Sequence, residues 1–355
     1  MERRKFPGRK FLRQIKPFRI KEDKMKKTKK IILEIISFIL ALTVLLGVTS
    51  YLGYRYMPDR RDYGATWNMF LKEKENSIDL MFVGSSMAYC DVIPARIYEN
   101  TGHTTYVLSA PYMMPDTAYY YIKEALRTQD PKVIMLEATS FFFTINEADY
   151  YKVNIGYMPY SLNRLEATLF AAPKSEKLGL LFPLFNYHER WEQYTLKQHI
   201  SPRPDATSDI MAGYTYLGTS EVQEERCERE FLYTEDEYER NIEYFNKITD
   251  LCQEEGIKLE FFIVPACEYV SPELTEGLRS VRRDVTVTNF NDHFEDIGLD
   301  VRCDFYDKRH VNFAGAVKFT DYLSEYIEAN YDLPSNEHDE TLWKERVEHI
   351  NEKLS

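Results

Sequence analysis

Two short stretches of the chain combine residue types that perform nucleophilic catalysis. The first is Gly84-Ser85-Ser86, which directly follows the apolar run at 78–83. A Gly-Ser turn at the carboxyl end of a buried strand exposes a hydroxyl and lets backbone amides approach it, as a serine nucleophile requires. Because serine also favours the N-cap of a helix, this stretch alone leaves a purely structural role open.

The second stretch runs from Asp304 to Gly315 and places Asp307 three residues before His310. At this spacing a carboxylate can accept the Nδ1 proton of the imidazole while Nε2 faces outward as a general base. An isolated histidine before a helix is more often a surface or capping residue. Three features nevertheless favour a catalytic role for His310. They are its pairing with Asp307, the downstream Asn312 and Gly315, and the separate serine at a strand end.

The order of these stretches resembles the SGNH/GDSL hydrolase superfamily, which has a strand followed by Gly-x-Ser and an Asp-x-x-His before its last helix. More closely, the blocks Phe-Val-Gly-Ser-Ser-Met-Ala-Tyr and Asp-Phe-Tyr-Asp-x-x-His-x-Asn-x-x-Gly resemble membrane-anchored, DltD-like members. Those members belong to bacterial systems that modify cell-surface polysaccharide and teichoic acid. The resemblance covers residues 76–330. It implies a three-layer α/β/α, flavodoxin-like domain with a parallel sheet.

The resemblance also implies roles for individual residues. Ser86 falls on the nucleophile, His310 on the base and Asp307 on the residue that orients the base. The superfamily builds its oxyanion hole from the nucleophile's own amide, a Gly in the second block and an Asn in the third. Here these blocks read Tyr-Val-Leu-Ser-Ala at 106–110 and Leu-Glu-Ala-Thr-Ser at 136–140, so neither residue is obvious.

We therefore expect one of two outcomes for the oxyanion hole. Either the Ser86 amide, the backbone near Ser109 and a group elsewhere in the chain form it, or the activity is slow and needs a partner. Further candidates for oxyanion or substrate contacts are Gly84, Ser85, Ser109, His188, Arg190 and Asn312.

The elements that must position these residues follow an α/β pattern. Short apolar runs alternate with longer amphipathic ones, which is typical of a largely parallel sheet. Asn312 is a suitable N-cap for the last helix of the domain. Strands are predicted at 78–83, 104–108, 132–137, 258–264, 285–290 and 300–304, and helices at 94–100, 116–127, 235–255 and 313–330.

Residues 141–234 interrupt this rhythm, because the segment is far longer than an ordinary connection. We interpret it as a cap over the carboxyl edge of the sheet, where open α/β folds bind ligands. Within it, His188, Arg190 and Trp191 could contact a polysaccharide hydroxyl, a phosphate or an acyl carrier. An ordinary amphipathic turn with a packed Trp explains the same residues. The SGNH-like domain is predicted at 57–332, followed by a charged surface helix at 333–355.

The N-terminal part of the chain predicts a membrane anchor at 31–56. Its central stretch, 35–54, is uncharged and has about the 20 residues that a helix needs to span ~30 Å of hydrocarbon. A cleaved signal peptide would have a shorter apolar region and an Ala-x-Ala-like cleavage site, and neither is visible. Residues 1–30 hold 14 Lys and Arg against three acidic residues. This excess places the N-terminus in the cytoplasm and the domain outside a bacterial cell membrane.

Charge and composition argue against two classes of protein, a nucleic-acid-binding protein and a disordered chain. The net charge is −12, so a basic arm at +11 leaves −23 on the rest of the chain. A basic arm could indicate nucleic-acid binding, but its place before the anchor is explained by topology and by contact with anionic lipid. The hydrophobic content of 44% excludes a disordered chain.

Cysteine usage predicts neither a metal site nor a cofactor. The five cysteines form no Cys-x-x-Cys pair and no Cys/His cluster at metal-binding spacing. An odd number in an oxidising compartment leaves at least one thiol unpaired.

These observations favour a membrane-anchored serine enzyme, an acyltransferase or an esterase. The resemblance implies an acetyl or D-alanyl group, a hydroxyl of a polysaccharide or teichoic acid as acceptor, and a multispanning membrane protein that delivers the acyl group. The alternative is a catalytically inactive protein of the same fold that assembles or binds polysaccharide. Nucleic-acid binding by the basic arm is the third hypothesis, and we expect no nucleic-acid partner.

Overall fold

The computed structural model describes residues 12–58, 67–144, 149–201, 206–219, 221–334 and 336–354. The first eleven residues of the predicted basic arm lie outside this part of the chain. Two compact units are present: Met1–Met57 with Phe182–Thr195, and Pro58–Leu181 with Leu196–Ser355.

The larger unit is an α/β domain with a parallel sheet of five strands, in the spatial order β2-β1-β3-β4-β5. The strands β1 to β3 are buried along their whole length, which explains their continuous apolar sequences. Five of the six predicted strands are confirmed. The strands are β1 (Leu80–Gly84), β2 (Thr105–Ser109), β3 (Val133–Glu137), β4 (Lys258–Ile263) and β5 (Thr286–Asn289).

The sixth prediction, a strand at 300–304, is wrong because these residues form a turn. The amide of Asp300 donates to the carboxylate of Asp304 at 2.7 Å, and the amide of Asp304 donates back to the carbonyl of Asp300 at 3.0 Å. Aspartate side chains that bond to nearby backbone favour a turn over a strand.

Helices account for most of the remaining regular structure. The four predicted helices of the α/β domain are present, and their ends differ from the predicted ones by at most two residues. Outside the segment 141–234, those longer than one turn are α1 (Leu12–Tyr56), α2 (Ser86–Asp91), α3 (Pro94–Thr101), α4 (Pro115–Ala125), α5 (Glu235–Glu254), α6 (Pro272–Val281), α7 (Phe313–Asn330) and α8 (Glu340–Leu354). Within that segment, short helices cover Asp149–Tyr157, Leu162–Glu166, Lys174–Leu181, Leu184–Tyr187 and Leu196–Ile200.

The smaller unit contains the predicted anchor. Residues Met25–Tyr56 of α1 are long and apolar enough to cross a membrane, and none of the apolar window is buried. The segment Phe182–Thr195 packs on the C-terminal end of this helix. Gly53 permits that contact, because a Cβ there would lie 2.6 Å from the amide nitrogen of Leu184.

The C-terminal helix α8 was predicted to lie on the surface, but one face of it belongs to the core. Trp343, Arg346 and Ile350 are buried. Trp343 stacks on Tyr98 of α3 at 4.9 Å, and the Arg346 guanidinium binds the Glu73 carboxylate at 2.6 Å. A buried arginine requires such a partner, so α8 is a fixed part of the domain.

Candidate active site

Ser86, His310 and Asp307 form a continuous chain of hydrogen bonds. The Oγ of Ser86 lies 2.8 Å from Nε2 of His310, and Nδ1 of the same ring lies 3.0 Å from both carboxylate oxygens of Asp307. With Nδ1 protonated, the ring donates to Asp307 while Nε2 accepts the serine proton. The structure thus brings together the three residues predicted as nucleophile, base and orienting carboxylate.

The junction between β1 and α2 positions Ser86 at the carboxyl edge of the sheet. Ser85 is the N-cap of α2, and its hydroxyl accepts the Met87 amide at 3.4 Å. The cap therefore occupies Ser85 and leaves Ser86, the first helical residue, with a hydroxyl directed at His310. Gly84 is required by close packing, because a Cβ there would lie 2.6 Å from the Cβ of Glu137.

A closed loop before α7 positions His310. Phe305 and Val311 form an antiparallel bridge across it, and the amide of Tyr306 donates to the carbonyl of His310 at 2.9 Å. Asn312 then caps α7 by accepting the amide of Gly315 at 3.0 Å, as the sequence predicted. The loop is thus fixed at both ends, which limits the freedom of the imidazole.

The charge of Asp307 is stabilised by its neighbours. Burial alone would raise the pKa of this carboxyl, but the His310 ring and the amides of Arg309 and His310 hold the pKa down to about 2. Those amides donate to Oδ1 at 2.7 and 2.8 Å. Asp307 is therefore ionised at neutral pH and can stabilise the imidazolium that forms when Ser86 loses its proton.

Of the further residues predicted for oxyanion or substrate contacts, one lines the pocket at Ser86 and the others are buried elsewhere or bonded to the backbone. Ser85 lines the pocket beside Ser86. Ser109 is fully buried at the end of β2 and is paired in register with Gly84. Asn312 is buried, and its side-chain oxygen caps α7. Its side-chain NH2 group donates to the Cys303 carbonyl at 2.6 Å. The side chain of Asn312 is therefore committed to the backbone.

His188 and Arg190 belong to the smaller unit, not to the residues that line this pocket. The guanidinium of Arg190 donates to the Tyr56 carbonyl at 2.5 Å, and the His188 ring contacts the Phe185 carbonyl at 3.1 Å. The middle of the segment 141–234 was predicted to contribute to the site. Within the larger unit, both ends of this segment line the pocket, through Phe143 and Arg229.

Several residues of the pocket were missed by the sequence analysis. Tyr112 has a φ of 48°, in the left-handed region that bulky residues rarely adopt, and nothing in its sequence context signals this. Thr139 follows β3, and its buried hydroxyl interacts with the Glu137 carboxyl, although within the described residues it has no hydrogen bond of regular geometry. The cavity has a volume of about 30 Å³, and the missed residues that line it are Met87, Tyr112, Thr139, Phe143, Arg229 and Arg309.

Two buried carboxyl groups lie behind the triad. Burial raises the pKa of Glu137, which accepts the Thr139 amide at 2.9 Å and the Ser85 hydroxyl at 3.3 Å. Burial, with the nearby charges of Asp307 and Glu137, raises the pKa of Asp91 well above its usual range. Neither oxygen of the fully buried Asp91 has a side-chain partner among the described residues. Asp91 is therefore stable here as the neutral acid.

No protein-family model matches the sequence, and no curated protein matches it significantly.

If Asp91 is protonated in the folded protein, it should make the free energy of unfolding depend on pH. The folded state keeps a proton that the unfolded chain releases near pH 4, so the free energy of unfolding falls as the pH rises above about 4. Asp91→Asn removes this group. Relative to wild type, the variant should gain stability between pH 5 and pH 8, by at most about 1.4 kcal/mol per pH unit. Urea unfolding of the full chain in detergent measures the difference.

Asp332→Asn, which removes an exposed carboxyl group, is the matched control against which the pH dependence of Asp91→Asn is read. A difference for Asp91→Asn that is the same at both pH values would show that Asp91 is ionised in the folded protein.

Proposed function

We propose that this protein is a membrane-anchored serine acyltransferase or esterase of the SGNH type. The observation that carries the proposal is the 2.8 Å contact between Ser86 Oγ and His310 Nε2, with Asp307 behind the ring. In the first half-reaction, Oγ attacks the carbonyl carbon of an acyl ester and His310 takes its proton. The donor's C–O bond breaks, and His310 returns the proton to the leaving oxygen.

In the second half-reaction, a hydroxyl of a cell-envelope polysaccharide or teichoic acid attacks the acyl group on Ser86. His310 accepts the proton of that hydroxyl and returns it to Ser86 Oγ as the acyl–Ser86 bond breaks. Water in place of the hydroxyl gives hydrolysis with the same residues, so the acceptor decides between transferase and esterase.

The strand order supports the family assignment that we propose. Numbered along the chain, the order is 2-1-3-4-5, the order of flavodoxin-like sheets, which bind ligands at the switch point between β1 and β3. Ser86 follows β1 and Thr139 follows β3, so both lie at this switch point. We propose that the helices complete a three-layer α/β/α domain of the SGNH type.

For the oxyanion we propose two donors, the Ser86 amide and the Thr139 hydroxyl. The amide of a first helical residue has no partner within its own helix. The Thr139 hydroxyl lines the same cavity, where it interacts with the Glu137 carboxyl without regular hydrogen-bond geometry. Thr139 would thus replace the Asn that the superfamily uses after this strand.

Removing the Thr139 hydroxyl tests this assignment. Thr139→Val should lower kcat for an acetyl ester by about 10²-fold, because one oxyanion donor is lost. Thr139→Ser keeps the hydroxyl and should retain most of the activity. Equal kcat values for Thr139→Val and Thr139→Ser would exclude Thr139 from the oxyanion hole.

The size of the cavity favours a small acyl group. A cavity volume of about 30 Å³ has room for about two water molecules, since about 10–15 Å³ of such volume holds one. An acetyl or D-alanyl group requires little adjustment of this cavity, whereas a fatty acyl chain requires the surrounding side chains to move.

We expect the full chain in detergent to cleave acetyl esters and to lose kcat/KM at least about tenfold when the acyl group is lengthened to octanoyl. Ser86→Ala should abolish turnover while leaving the folded structure intact, as judged by circular dichroism. Equal turnover by wild type and Ser86→Ala would contradict the proposal and favour the alternative, a catalytically inactive protein of this fold that assembles or binds polysaccharide.

We further propose that α1 spans the membrane once, with the basic N-terminus in the cytoplasm and the α/β domain outside. The Lys/Arg excess before the apolar stretch supports this orientation. An outward-facing site needs an acyl donor from the cell interior, so we propose a multispanning membrane protein as the delivering partner.

Cys227, which is exposed in the α/β domain, reports the orientation. A membrane-impermeant maleimide should label Cys227 on intact cells, and mass spectrometry should locate the label. Cys227→Ser is the control for the assignment. Labelling only after the cells are permeabilised would place the domain in the cytoplasm.

A further inference from the structure

The pocket at Ser86 contains more positive charge than the chemistry of the triad requires. Arg229 and Arg309 both line it, together with Ser86 and His310. Acyl transfer through a serine and a histidine uses a neutral nucleophile and a neutral base, so neither guanidinium is needed for the proton transfers. Their presence calls for a separate explanation.

Arg229 lacks the ion pair that a half-buried arginine normally has. Within the part of the chain that the structure describes, its guanidinium forms no salt bridge and no hydrogen bond to a side chain. Burial lowers its pKa and repulsion from Arg309 lowers it further, while attraction to Glu137 and Glu268 opposes both effects. The fold therefore keeps a partly desolvated cation next to a second cation, an arrangement that an anionic ligand would stabilise.

Aromatic rings and backbone contacts fix the place of this guanidinium. Its carbon lies 4.7 Å from the ring centre of Phe231 and 5.3 Å from that of Phe143. The amide of Arg229 donates to the carbonyl of Tyr269 at 2.9 Å. Arginine presents a planar fork that matches carboxylate and phosphate oxygens, and stacking holds that fork in one plane.

The carboxylates near the two arginines attract them but do not line the pocket. Glu268 interacts with Arg309 at 3.4 Å and is shared with Lys308 at 3.3 Å. Asp307 is bound to His310. Glu137 is buried behind Ser85 and bonds to Ser85 and to the Thr139 amide. Apart from the His310 ring, the charged side chains that line the pocket are therefore Arg229 and Arg309.

We propose that Arg229, assisted by Arg309, binds an anionic group of the substrate beside the ester that reacts at Ser86. The substrate class is thus an acyl ester, or an acceptor hydroxyl, with a phosphodiester or a carboxylate close to it. This inference rests on the proposed function and adds a specificity determinant to it. Arg229 holds the substrate and takes no proton.

The test compares matched acetyl esters. Glycerol acetate with a methyl phosphodiester, an acetylated hexuronate methyl glycoside, and the neutral methyl ether of glycerol acetate are offered to the full chain in detergent. Wild type should prefer at least one anionic ester over the neutral one by about 10- to 100-fold in kcat/KM, the range of a charge-assisted hydrogen bond. The two anionic esters distinguish a phosphodiester from a carboxylate.

Arg229→Gln should abolish this preference, mainly by raising KM for the anionic ester, and should lower kcat/KM for the anionic ester far more than for the neutral one. Added salt should weaken the preference in wild type and not in the variant. Equal losses on the anionic and neutral esters, or no preference in wild type, would overturn the inference.

Arg226→Gln is the matched control. Arg226 also stacks on rings, with its guanidinium carbon 3.8 Å from the ring centre of Phe294, but it donates to Asn291 at 3.0 Å and lies outside the pocket lining. The Arg226→Gln variant should therefore prefer the anionic ester over the neutral one as strongly as wild type does.

A binding measurement keeps the inference separate from the catalytic proposal. Calorimetry of the anionic ester with Ser86→Ala and with the Ser86→Ala/Arg229→Gln double variant requires no turnover. Weaker binding by the double variant supports the anion site even if wild type cleaves none of the esters. Binding that does not depend on Arg229, or no binding, overturns the anion site even if the neutral ester is cleaved.

Discussion

The hydrogen bond between Ser86 Oγ and His310 Nε2 is the contact on which the rest of the account depends. It joins residues that are 224 positions apart in the chain. One partner is set by the end of β1 and the cap of α2, and the other by the loop before α7. Because the sheet, the loop and two helix caps must all be in place before the contact can form, catalysis at Ser86 would require the whole α/β domain to be folded.

The distribution of charge around this contact is consistent with acyl transfer. Asp307 stays ionised because hydrogen bonds lower its pKa, whereas burial raises the pKa of Glu137 and of Asp91. In the reaction that we propose, the imidazolium would be stabilised mainly by one carboxylate, Asp307, which is in direct contact with the ring. Arg229 and Arg309 line the pocket beside Ser86, and in our proposal they bind the substrate without exchanging a proton.

The sequence predicts the parts of this structure that are encoded locally. The apolar runs of β1 to β5, the Asn312 cap and the spacing of Asp307 and His310 are all short-range signals. The strand predicted at 300–304 failed because two aspartate side chains bond to the backbone there. The left-handed Tyr112 and the approach of Arg229 to Ser86 depend on tertiary packing, since Arg229 reaches the pocket from the end of a long segment. The prediction for His188 and Arg190 relied on composition, which does not specify where that segment packs.

Reaction of the full chain with a fluorophosphonate tests the central claim most directly, because this reagent bonds only to a serine that a neighbouring base activates. Mass mapping should find the label on Ser86, and the label should be absent in Ser86→Ala and strongly reduced in His310→Ala. Labelling of Ser86 that persists in His310→Ala, or no labelling of folded wild type, would contradict the assignment of Ser86, His310 and Asp307 as a working triad.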